Sequence, residues 1–393
     1  MRSEGRFRLQ SVFLNSASPA AGPPPRSRRV TRTGRRWRAA LAAMALTFAG
    51  LAAGATSTAA ADPSGSGVSE TANHIPSTFQ WSSSGPLISA KSDATHDIAA
   101  VKDPTVVRHN GKWLVYATTA LRSGGWNLMY TSFEDWSEAD SAPHYYLDQS
   151  AIGPGYRAAP QVFYFAPQKK WYLVYQTGLP SFSTTDDPTK PDSWSAPRNF
   201  QEEMPDIIKE NIGNGFWLDF WVTCDTAKCY LFSSDDNGHL YRSETTVADF
   251  PNGFGNTQIA LQDSKFDLFE AANVYKIKGT DDYLLLVEAI GSDGRRYFRS
   301  WTSDSIDGKW TPLAASEDNP FARSNNVTFP DGAWTKDISH GEMIRSGVDQ
   351  TMEIDPGRLR YLYQGMDPSA SGDYNQLPWK LGLLTETTAY GRD

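Results

Sequence analysis

The sequence contains very little cysteine and histidine. Only Cys224 and Cys229 occur among its 393 residues, together with six histidines. Two cysteines without a neighbouring histidine do not supply the four ligands of a structural zinc site, and no HExxH pair is present. The two cysteines flank four residues, a spacing that suits the ends of a β-hairpin. They therefore predict a disulfide bond if the chain is exported.

Several common functional signatures are also missing. The chain has no nucleophile elbow, no phosphate-binding loop and no dinucleotide fingerprint. Its formal net charge is −8 although many arginines lie near the N-terminus, so the remainder is more acidic still. An acidic surface repels the phosphate backbone, which argues against nucleic acid as a partner.

The N-terminal region has the order of a secretory signal peptide. An arginine-rich segment at 26–38 precedes an apolar run at 39–55, and three alanines follow at 59–61. This order predicts cleavage after export, and therefore a secreted, extracellular protein without a membrane segment. A membrane anchor is the alternative, although the apolar run is short for a span. The pair Arg35-Arg36 leaves both the general and the twin-arginine export routes open.

The composition divides the chain into three parts. We predict a signal peptide with an extended arginine-rich region at 1–61 and a flexible Gly/Ser-rich linker at 62–75. A single folded domain is predicted at 76–393, and we expect a monomer.

The domain sequence predicts an all-β fold. Short aromatic and β-branched runs alternate with Gly, Asp, Asn and Pro, and no long stretch has helical periodicity. In Val101–Thr119 an acidic residue stands at the entrance of a strand, a polar turn follows, and an aromatic-rich strand returns. Five such hairpins are predicted, at Asp103–Thr118, Ala159–Gln176, Asp219–Ser234, Glu270–Ala289 and, less regularly, Gln350–Gly365. An additional short strand around His340–Arg345 is predicted before the fifth hairpin.

Hairpins at this spacing, with further strands between them, predict a five-bladed β-propeller. A two-sheet sandwich is the alternative. In a propeller the first strand of each blade lines the central axis, so residues at equivalent hairpin entrances converge on one pit. Aromatic residues of the return strands, such as Trp113, Trp171 and Tyr361, are expected in the core between the blades.

Three hairpin entrances carry carboxylates, namely Asp103, Asp219 and Glu270. A single acid at a strand end is usually a solvated loop residue, but three acids that converge on one pit raise the pKa of at least one of them. A proton donor and a proton acceptor at the same pH are what glycosidic bond hydrolysis uses. His340 is either a buried core histidine or an axial ligand of calcium, which prefers oxygen-rich surroundings.

Several blocks of the sequence resemble glycoside hydrolase family 62, the xylan-debranching α-L-arabinofuranosidases. The blocks occur in the order of that family and extend from about Phe79 to Thr385. They are VKDPTVV, NGFWLDFWVTC, LFEAANVYK, HGEMIRSGVDQTMEIDP and YLYQGMDPSASGDYNQLPWKLGLLT. The resemblance implies a five-bladed propeller and an inverting mechanism on arabinoxylan. The alternatives are a family-43-like xylosidase or arabinanase, and a sugar-binding propeller without turnover.

The resemblance also implies roles for individual residues. Asp103 would be the general base, Glu270 the general acid, and Asp219 a residue that tunes the pKa of the acid and orients the sugar. His340 would face a structural calcium ion, and no organic cofactor is implied. The resemblance further implies four substrate-binding residues: Lys102, Arg345, Tyr374 and Asn375.

The chain departs from the family pattern after the second hairpin. Thr177 stands where family members carry a tryptophan after the Tyr-Gln pair. If that tryptophan forms a wall of the sugar pocket, another side chain has to replace it, and Phe182 is the candidate in the sequence.

Overall fold

The computed structural model describes residues 75–388. The predicted signal peptide and nearly all of the predicted linker lie outside this range, so their assignment stays a prediction. Within the described range, no helix is both long enough and apolar enough to cross a membrane.

The described residues form five β-sheets, and the chain is nearly all-β. Strand β1 (Trp81–Ser83) comes first, and the chain then forms three four-stranded blades. Blade 1 contains β2 (Ile98–His109), β3 (Lys112–Leu121), β4 (Trp126–Phe133) and β5 (Tyr145–Tyr146). Blade 2 contains β6 (Ala158–Phe165), β7 (Lys170–Gln176), β8 (Pro180–Thr185) and β9 (Arg198–Asn199). Blade 3 contains β10 (Leu218–Cys224), β11 (Lys228–Ser234), β12 (His239–Thr246) and β13 (Gly255–Gln262).

The last two blades are built from less regular pieces. Blade 4 contains β14 (Glu270–Ile277), β15 (Tyr283–Ile290), β16 (Arg296–Ser303) and β17 (Thr311–Pro312). Blade 5 begins with β18 (Val327–Thr328) and β19 (Ser339–Met343), and after β20 (Glu353–Ile354) it continues with β21 (Arg360–Gly365) and β22 (Lys380–Glu386). The N-terminal strand β1 pairs with β22, so both ends of the described chain complete blade 5. The fold is therefore the predicted five-bladed β-propeller.

Helical structure is sparse in the described range. It comprises the helix α1 (Asp206–Asn211) and short 3₁₀ turns at Trp136–Glu138, Leu147–Gln149, Ala166–Gln168, Pro191–Ser193 and Tyr374–Gln376.

The fifth predicted hairpin is wrong in its first strand. The short strand β19, which was expected only to precede the hairpin, is the inner strand of blade 5 and pairs with β21. The segment that was expected to form the first strand contributes β20, which pairs in parallel with β14 of blade 4. The sequence did not reveal this exchange because β20 has only two residues and no alternation that could identify its partner.

The inner strands of neighbouring blades contact each other around the ring, in the order β2, β6, β10, β14, β19 and back to β2. The predicted core residues Trp113, Trp171 and Tyr361 are buried between the blades. Cys224 and Cys229 lie directly opposite each other on β10 and β11 and form the predicted disulfide bond. This bond closes the lower end of blade 3, away from the strand entrances.

Candidate active site

The pairing register of each inner strand shifts by one residue, as it does at a β-bulge. The shift follows the first residue of the strand in blades 2 to 5, and it follows Lys102, the fifth residue of β2, in blade 1. In four blades the first residue within this shift has a positive φ, and two of these residues are Asp103 (46°) and Asp219 (55°). This left-handed conformation costs a residue with a side chain about 1–2 kcal/mol. Non-glycine residues in such strained conformations cluster at functional sites.

The bulges correct the predicted equivalence of the three acids. Asp103 and Asp219 are both the first residue within the register shift of an inner strand, and His340 holds the same position in blade 5. Glu270 is the first residue of its strand and is equivalent to Lys102. It nevertheless reaches the same pit, because a bulge places two residues opposite one and redirects the side chains next to it.

The bulges also free one backbone N–H group in each blade, and a side chain of the preceding blade accepts its hydrogen bond. The N–H of Asp103 donates to Gln364 Oε1 (2.7 Å), and that of Asp219 donates to Gln176 Oε1 (2.8 Å). The N–H of Ala159 donates to Thr118 Oγ1 (2.8 Å) in the same way. Since buried N–H groups need a partner, these bonds fix the backbone at each strand entrance.

In blade 4 this acceptor is the side chain of Asp219 itself. Its Oδ2 accepts the N–H of Ala271 at 2.9 Å. Ala271 directly follows Glu270, so Asp219 is connected to the backbone of the predicted acid. In blade 5 the N–H of His340 donates to Glu288 Oε2 at 2.7 Å.

The two equivalent aspartates meet on either side of His340. The Nδ1 atom of His340 lies 3.5 Å from Asp103 Oδ1 and 3.7 Å from Asp219 Oδ2. Burial raises the pKa of Asp219 well above its usual value, and the negative charges of Glu270 and Asp103 raise it further. The predicted convergence of the acids, and the predicted rise of at least one carboxyl pKa, are thus present in the structure.

Lys102 forms the wall of the pit next to Asp103. Its Nζ lies 3.9 Å from Asp103 Oδ1 and donates a hydrogen bond to the Tyr374 hydroxyl at 3.0 Å. Burial alone would lower the pKa of Lys102, but the negative charges of Asp103 and Glu270 raise it, so the ammonium group stays charged. Asn375 follows Tyr374 in the same 3₁₀ turn, and Gln376 anchors this turn to blade 1 through the carbonyl groups of Leu121 and Arg122.

Glu270 belongs to a charged network that the sequence did not predict. Arg296 Nη1 donates to Glu270 Oε1 at 2.7 Å and to Glu288 Oε1 at 2.9 Å. Burial raises the pKa of Glu288 to about 7, with the arginine acting in the opposite direction. Arg296 is the first residue of β16, a position that hairpin alignment does not connect with the pit. The only signal in the sequence was that Arg296 is the second of two adjacent arginines at the start of a strand.

A fourth acid, Asp236, lies beside Glu270 and was also missed. It belongs to the DDNG turn between β11 and β12, which the sequence suggests only as a turn. Burial raises the pKa of Asp236 to about 9, and the neighbouring charges of Glu270 and Asp219 add to the effect.

Arg345 does not join the pit. Its side chain is 1% exposed, its Nε lies 2.6 Å from Glu342 Oε1, and its Nη2 donates to the carbonyl of Val162 at 2.7 Å. It also donates to the carbonyl of Val106, three residues and about 10 Å along β2 from Asp103. Arg345 is therefore a core residue below the pit, and its predicted contact with substrate is not supported by its position.

The pocket wall next to Thr177 is also different from the expectation. Phe182 is 1% exposed and packs against Tyr172 and Phe200, so it cannot replace the missing tryptophan. Tyr156 stands at the pit instead, with 40% of its surface exposed. Its hydroxyl group accepts a hydrogen bond from Gln176, the residue that holds the backbone of Asp219.

The predicted calcium site has weak support from the side chains. Among residues 75–388 there is no group of three or more His, Cys, Asp or Glu residues arranged to hold a metal ion. Calcium usually takes six to eight oxygen ligands, so these side chains do not by themselves fit the ion, and most ligands would have to be water. Calcium binding at His340 stays a prediction.

Comparisons with known proteins agree with this architecture. Alpha-L-arabinofuranosidase C of Cellvibrio japonicus is 48% identical over 313 residues, which cover 78% of this chain and 47% of the relative. The chain thus spans about half the length of this curated relative.

Two solved structures are similar over the whole propeller. The catalytic domain of the family 62 α-L-arabinofuranosidase of Coprinopsis cinerea has 64% sequence identity and a TM-score of 0.78, over 80% of this chain and 98% of that one. A family 62 hydrolase in complex with xylotriose has 54% identity and a TM-score of 0.77, over 79% and 98% of the two chains. The model of the family described as Glycosyl hydrolase family 62 matches residues 80–385. The chain therefore belongs to glycosyl hydrolase family 62.

Proposed function

We propose that this protein is a secreted α-L-arabinofuranosidase that removes arabinofuranosyl side groups from arabinoxylan with inversion. The observation that carries the proposal is the meeting of Asp103, Asp219 and Glu270 around one pit, together with membership of the family. Two of the relatives named above are α-L-arabinofuranosidases, and the xylotriose complex of the third, a family 62 hydrolase, supports a xylan-type polymer as the partner.

In the proposed mechanism, Asp103 accepts a proton from a water molecule that attacks the anomeric carbon of the arabinose. Glu270 donates a proton to the departing xylosyl oxygen. Asp219 holds the backbone after Glu270 through Ala271, and its carboxyl group in the same pit would tune the pKa of the acid. A general acid of this kind contributes about 10²–10⁴-fold to the rate.

Lys102 and Tyr374 would position the substrate, since both carry polar groups into the pit. Asn375 belongs to the same turn and would contact the xylan chain. The exposed ring of Tyr156 offers an apolar surface for a sugar face at the position that Thr177 leaves open. Export of the protein rests on the N-terminal sequence pattern alone, and a monomer in solution remains our expectation.

Proton NMR of arabinoxylan during digestion tests the proposal. We expect free β-L-arabinofuranose in the first minutes, before mutarotation, with the xylan backbone intact. Release of xylose or of shortened backbone would indicate a xylosidase or arabinanase instead, and early α-L-arabinofuranose would contradict inversion.

The Glu270→Gln variant is the matched control in this experiment. It keeps the size of the side chain but has no acidic proton, so it should bind the polymer without releasing sugar. Binding by the wild-type protein without any product would leave the sugar-binding propeller as the function.

A further inference from the structure

Glu288 lies directly beside the proposed acid, on the neighbouring strand of blade 4. It pairs with Glu270 in the register of β14 and β15, and its backbone carbonyl accepts the N–H of Phe269 at 2.9 Å. The side chain of Glu288 is fully buried, so it does not itself reach the sugar. A buried carboxylate has to be paired, because an isolated charge inside a protein is very costly.

Three hydrogen-bond donors from two blades surround the Glu288 carboxylate. Its Oε1 accepts from Arg296 Nη1 and from Ser339 Oγ, each at 2.9 Å. Its Oε2 accepts the backbone N–H of His340 at 2.7 Å. Arg296 belongs to blade 4, whereas Ser339 and His340 are the first two residues of β19 in blade 5. The carboxylate therefore connects the blade that carries the acid with the inner strand of the next blade.

On one side the hydrogen bonds of Glu288 continue to Glu270. The same Nη1 atom of Arg296 that binds Glu288 also donates to Glu270 Oε1 at 2.7 Å. The guanidinium group lies over the ring of Phe269, 4.6 Å from its centroid, and the backbone N–H of Arg296 donates to Asp337 Oδ1 at 3.0 Å. Because one nitrogen atom serves both carboxylates, the position of Glu288 determines where Arg296 holds Glu270.

On the other side the hydrogen bonds continue to Asp103. The hydroxyl group of Ser339 donates to Glu288 and accepts from the side-chain amide of Gln364 at 3.0 Å. The amide oxygen of Gln364 accepts the backbone N–H of Asp103 at 2.7 Å. Ser339 and Gln364 are each only 2% exposed. Donors and acceptors match at every step, because the hydroxyl group has one proton and the amide presents its nitrogen and its oxygen to different partners.

A continuous row of hydrogen bonds thus joins the proposed base to the proposed acid across three blades. We call it the acid–base row, and it consists of Asp103, Gln364, Ser339, Glu288, Arg296 and Glu270. An inverting glycosidase needs its two carboxyl groups roughly 6.5–9.5 Å apart, so that a water molecule fits between them and the sugar. A shift of about 1 Å in a catalytic group can cost about 10²-fold in rate. The separation of the two groups therefore has to be fixed by contacts between the blades.

We propose that Glu288 is a positioning residue that fixes the separation between Asp103 and Glu270, an inference that rests on the proposed function. It acts on the base through its contacts in blade 5 and on the acid through Arg296. Glu288 is the one member of the acid–base row that binds both blades with a single carboxylate, and it does not touch the sugar.

The Glu288→Gln variant tests this proposal because it keeps the size of the side chain. A carboxamide accepts hydrogen bonds only with its oxygen, so its NH₂ group has to face a donor, either the N–H of His340 or the guanidinium of Arg296. One of the two connections is therefore lost. Glu288 does not contact the sugar, so we expect kcat to fall while KM changes little.

Two substrates separate the acid end of the row from a general loss of structure. We measure kcat and KM for an arabinosylated xylo-oligosaccharide and for p-nitrophenyl α-L-arabinofuranoside, whose leaving group needs little protonation. In Glu288→Gln we expect kcat to fall by about 10²-fold on the oligosaccharide. The loss on the nitrophenyl substrate should be at least about tenfold smaller, because a misplaced acid matters less there.

Glu342→Gln is the matched control. Glu342 is also fully buried, its Oε1 lies 2.6 Å from Arg345 Nε, and its Oε2 accepts from the Thr105 hydroxyl and the Val106 N–H. None of these partners belongs to the acid–base row. Glu342→Gln should therefore lower Tm as Glu288→Gln does and leave kcat on both substrates unchanged.

The proposal would be overturned by a wild-type kcat in Glu288→Gln, by equal losses on both substrates, or by the same loss of kcat in Glu342→Gln. A wild-type protein that hydrolyses neither substrate would contradict the proposed function instead. The two failures are thus distinguishable.

A second variant keeps the proposal testable if Glu288→Gln does not fold. Ser339→Ala removes one hydroxyl group from the middle of the row and leaves every charge in place. We expect kcat/KM on the oligosaccharide to fall by about tenfold. Combined with Gln364→Met it should cause no further loss beyond that of Gln364→Met alone, because both changes cut the same connection to Asp103. Losses that multiply in the double variant, or a wild-type kcat/KM in Ser339→Ala, would contradict a continuous row.

Discussion

The hydrogen bonds at the strand entrances allow catalysis and stability to be separated by mutation. Gln364 is buried and accepts the N–H of Asp103, while its own amide donates to Ser339 Oγ at 3.0 Å. Gln364→Met keeps the length of the side chain but removes both bonds. Ser339 retains a hydrogen bond to Glu288, so the main cost is the unpaired N–H of Asp103.

The size of the effect follows from that unpaired group. A buried N–H without a partner costs about 1–3 kcal/mol. In a domain of about 300 residues this lowers Tm by about 2–5 °C. The left-handed backbone of Asp103 then lacks its anchor, and a shift of about 1 Å in a catalytic group can cost about 10²-fold in rate. We expect kcat/KM on arabinoxylan oligosaccharides to fall by about 10–100-fold at a temperature well below Tm.

Thr118→Val provides the control for stability without catalysis. It removes the equivalent hydrogen bond to Ala159, which carries no reactive group. The unfolding midpoint, measured by differential scanning calorimetry, should fall by a similar amount in both variants, whereas kcat/KM should fall only in Gln364→Met. An equal loss of activity in Thr118→Val would refute the reasoning, as would a destabilised Gln364→Met with the wild-type kcat/KM.

Three further predictions concern stability and metal binding. Burial raises the pKa of Glu288 to about 7 and that of Asp236 to about 9. The folded protein therefore keeps protons that the unfolded chain has lost above about pH 4. As a result, stability should fall as pH rises towards 9. The fall in Tm above pH 7 should be smaller in Asp236→Asn, and an identical slope would contradict this assignment. Replacing Cys224 and Cys229 by serine should cost about 2 kcal/mol, as expected for a small closed loop. It should leave kcat unchanged, because the disulfide lies at the far end of β10 from Asp219; a lower kcat at unchanged folding would argue otherwise. If calcium binds at His340, a chelator should lower Tm and added calcium should restore it. A Tm that neither treatment changes would contradict calcium binding at this site.

The sequence revealed those features that depend on neighbouring residues. Alternating apolar and polar residues with turn signals identified the hairpins, because a strand and its return strand are close in the chain. The disulfide followed for the same reason, since Cys224 and Cys229 flank one turn. The repeat of the hairpins was sufficient to predict the number of blades, and it selected Asp103, Asp219 and Glu270.

The repeat could not reveal the exact alignment of the acids. A bulge adds one residue to a strand without leaving a mark in the alternation, so Glu270 appeared equivalent to Asp103 although its partner in blade 1 is Lys102. The fifth hairpin failed in a similar way, because a strand of two residues has no pattern of its own. Arg345, within a family block, was expected at the pit but is buried below it.

Tertiary structure decided the chemistry of the pit. Asp103 is held by Gln364, which lies 261 residues away in the sequence, and Glu270 faces Arg296 and Asp236 from two different blades. Closure of the ring brings these groups together, and burial then sets which carboxyl groups keep a proton. The sequence by itself determined the fold class and the candidate acids, because local patterns encode strands and turns. The arrangement of charges and protons depends on contacts between blades, which exist only when the ring is closed.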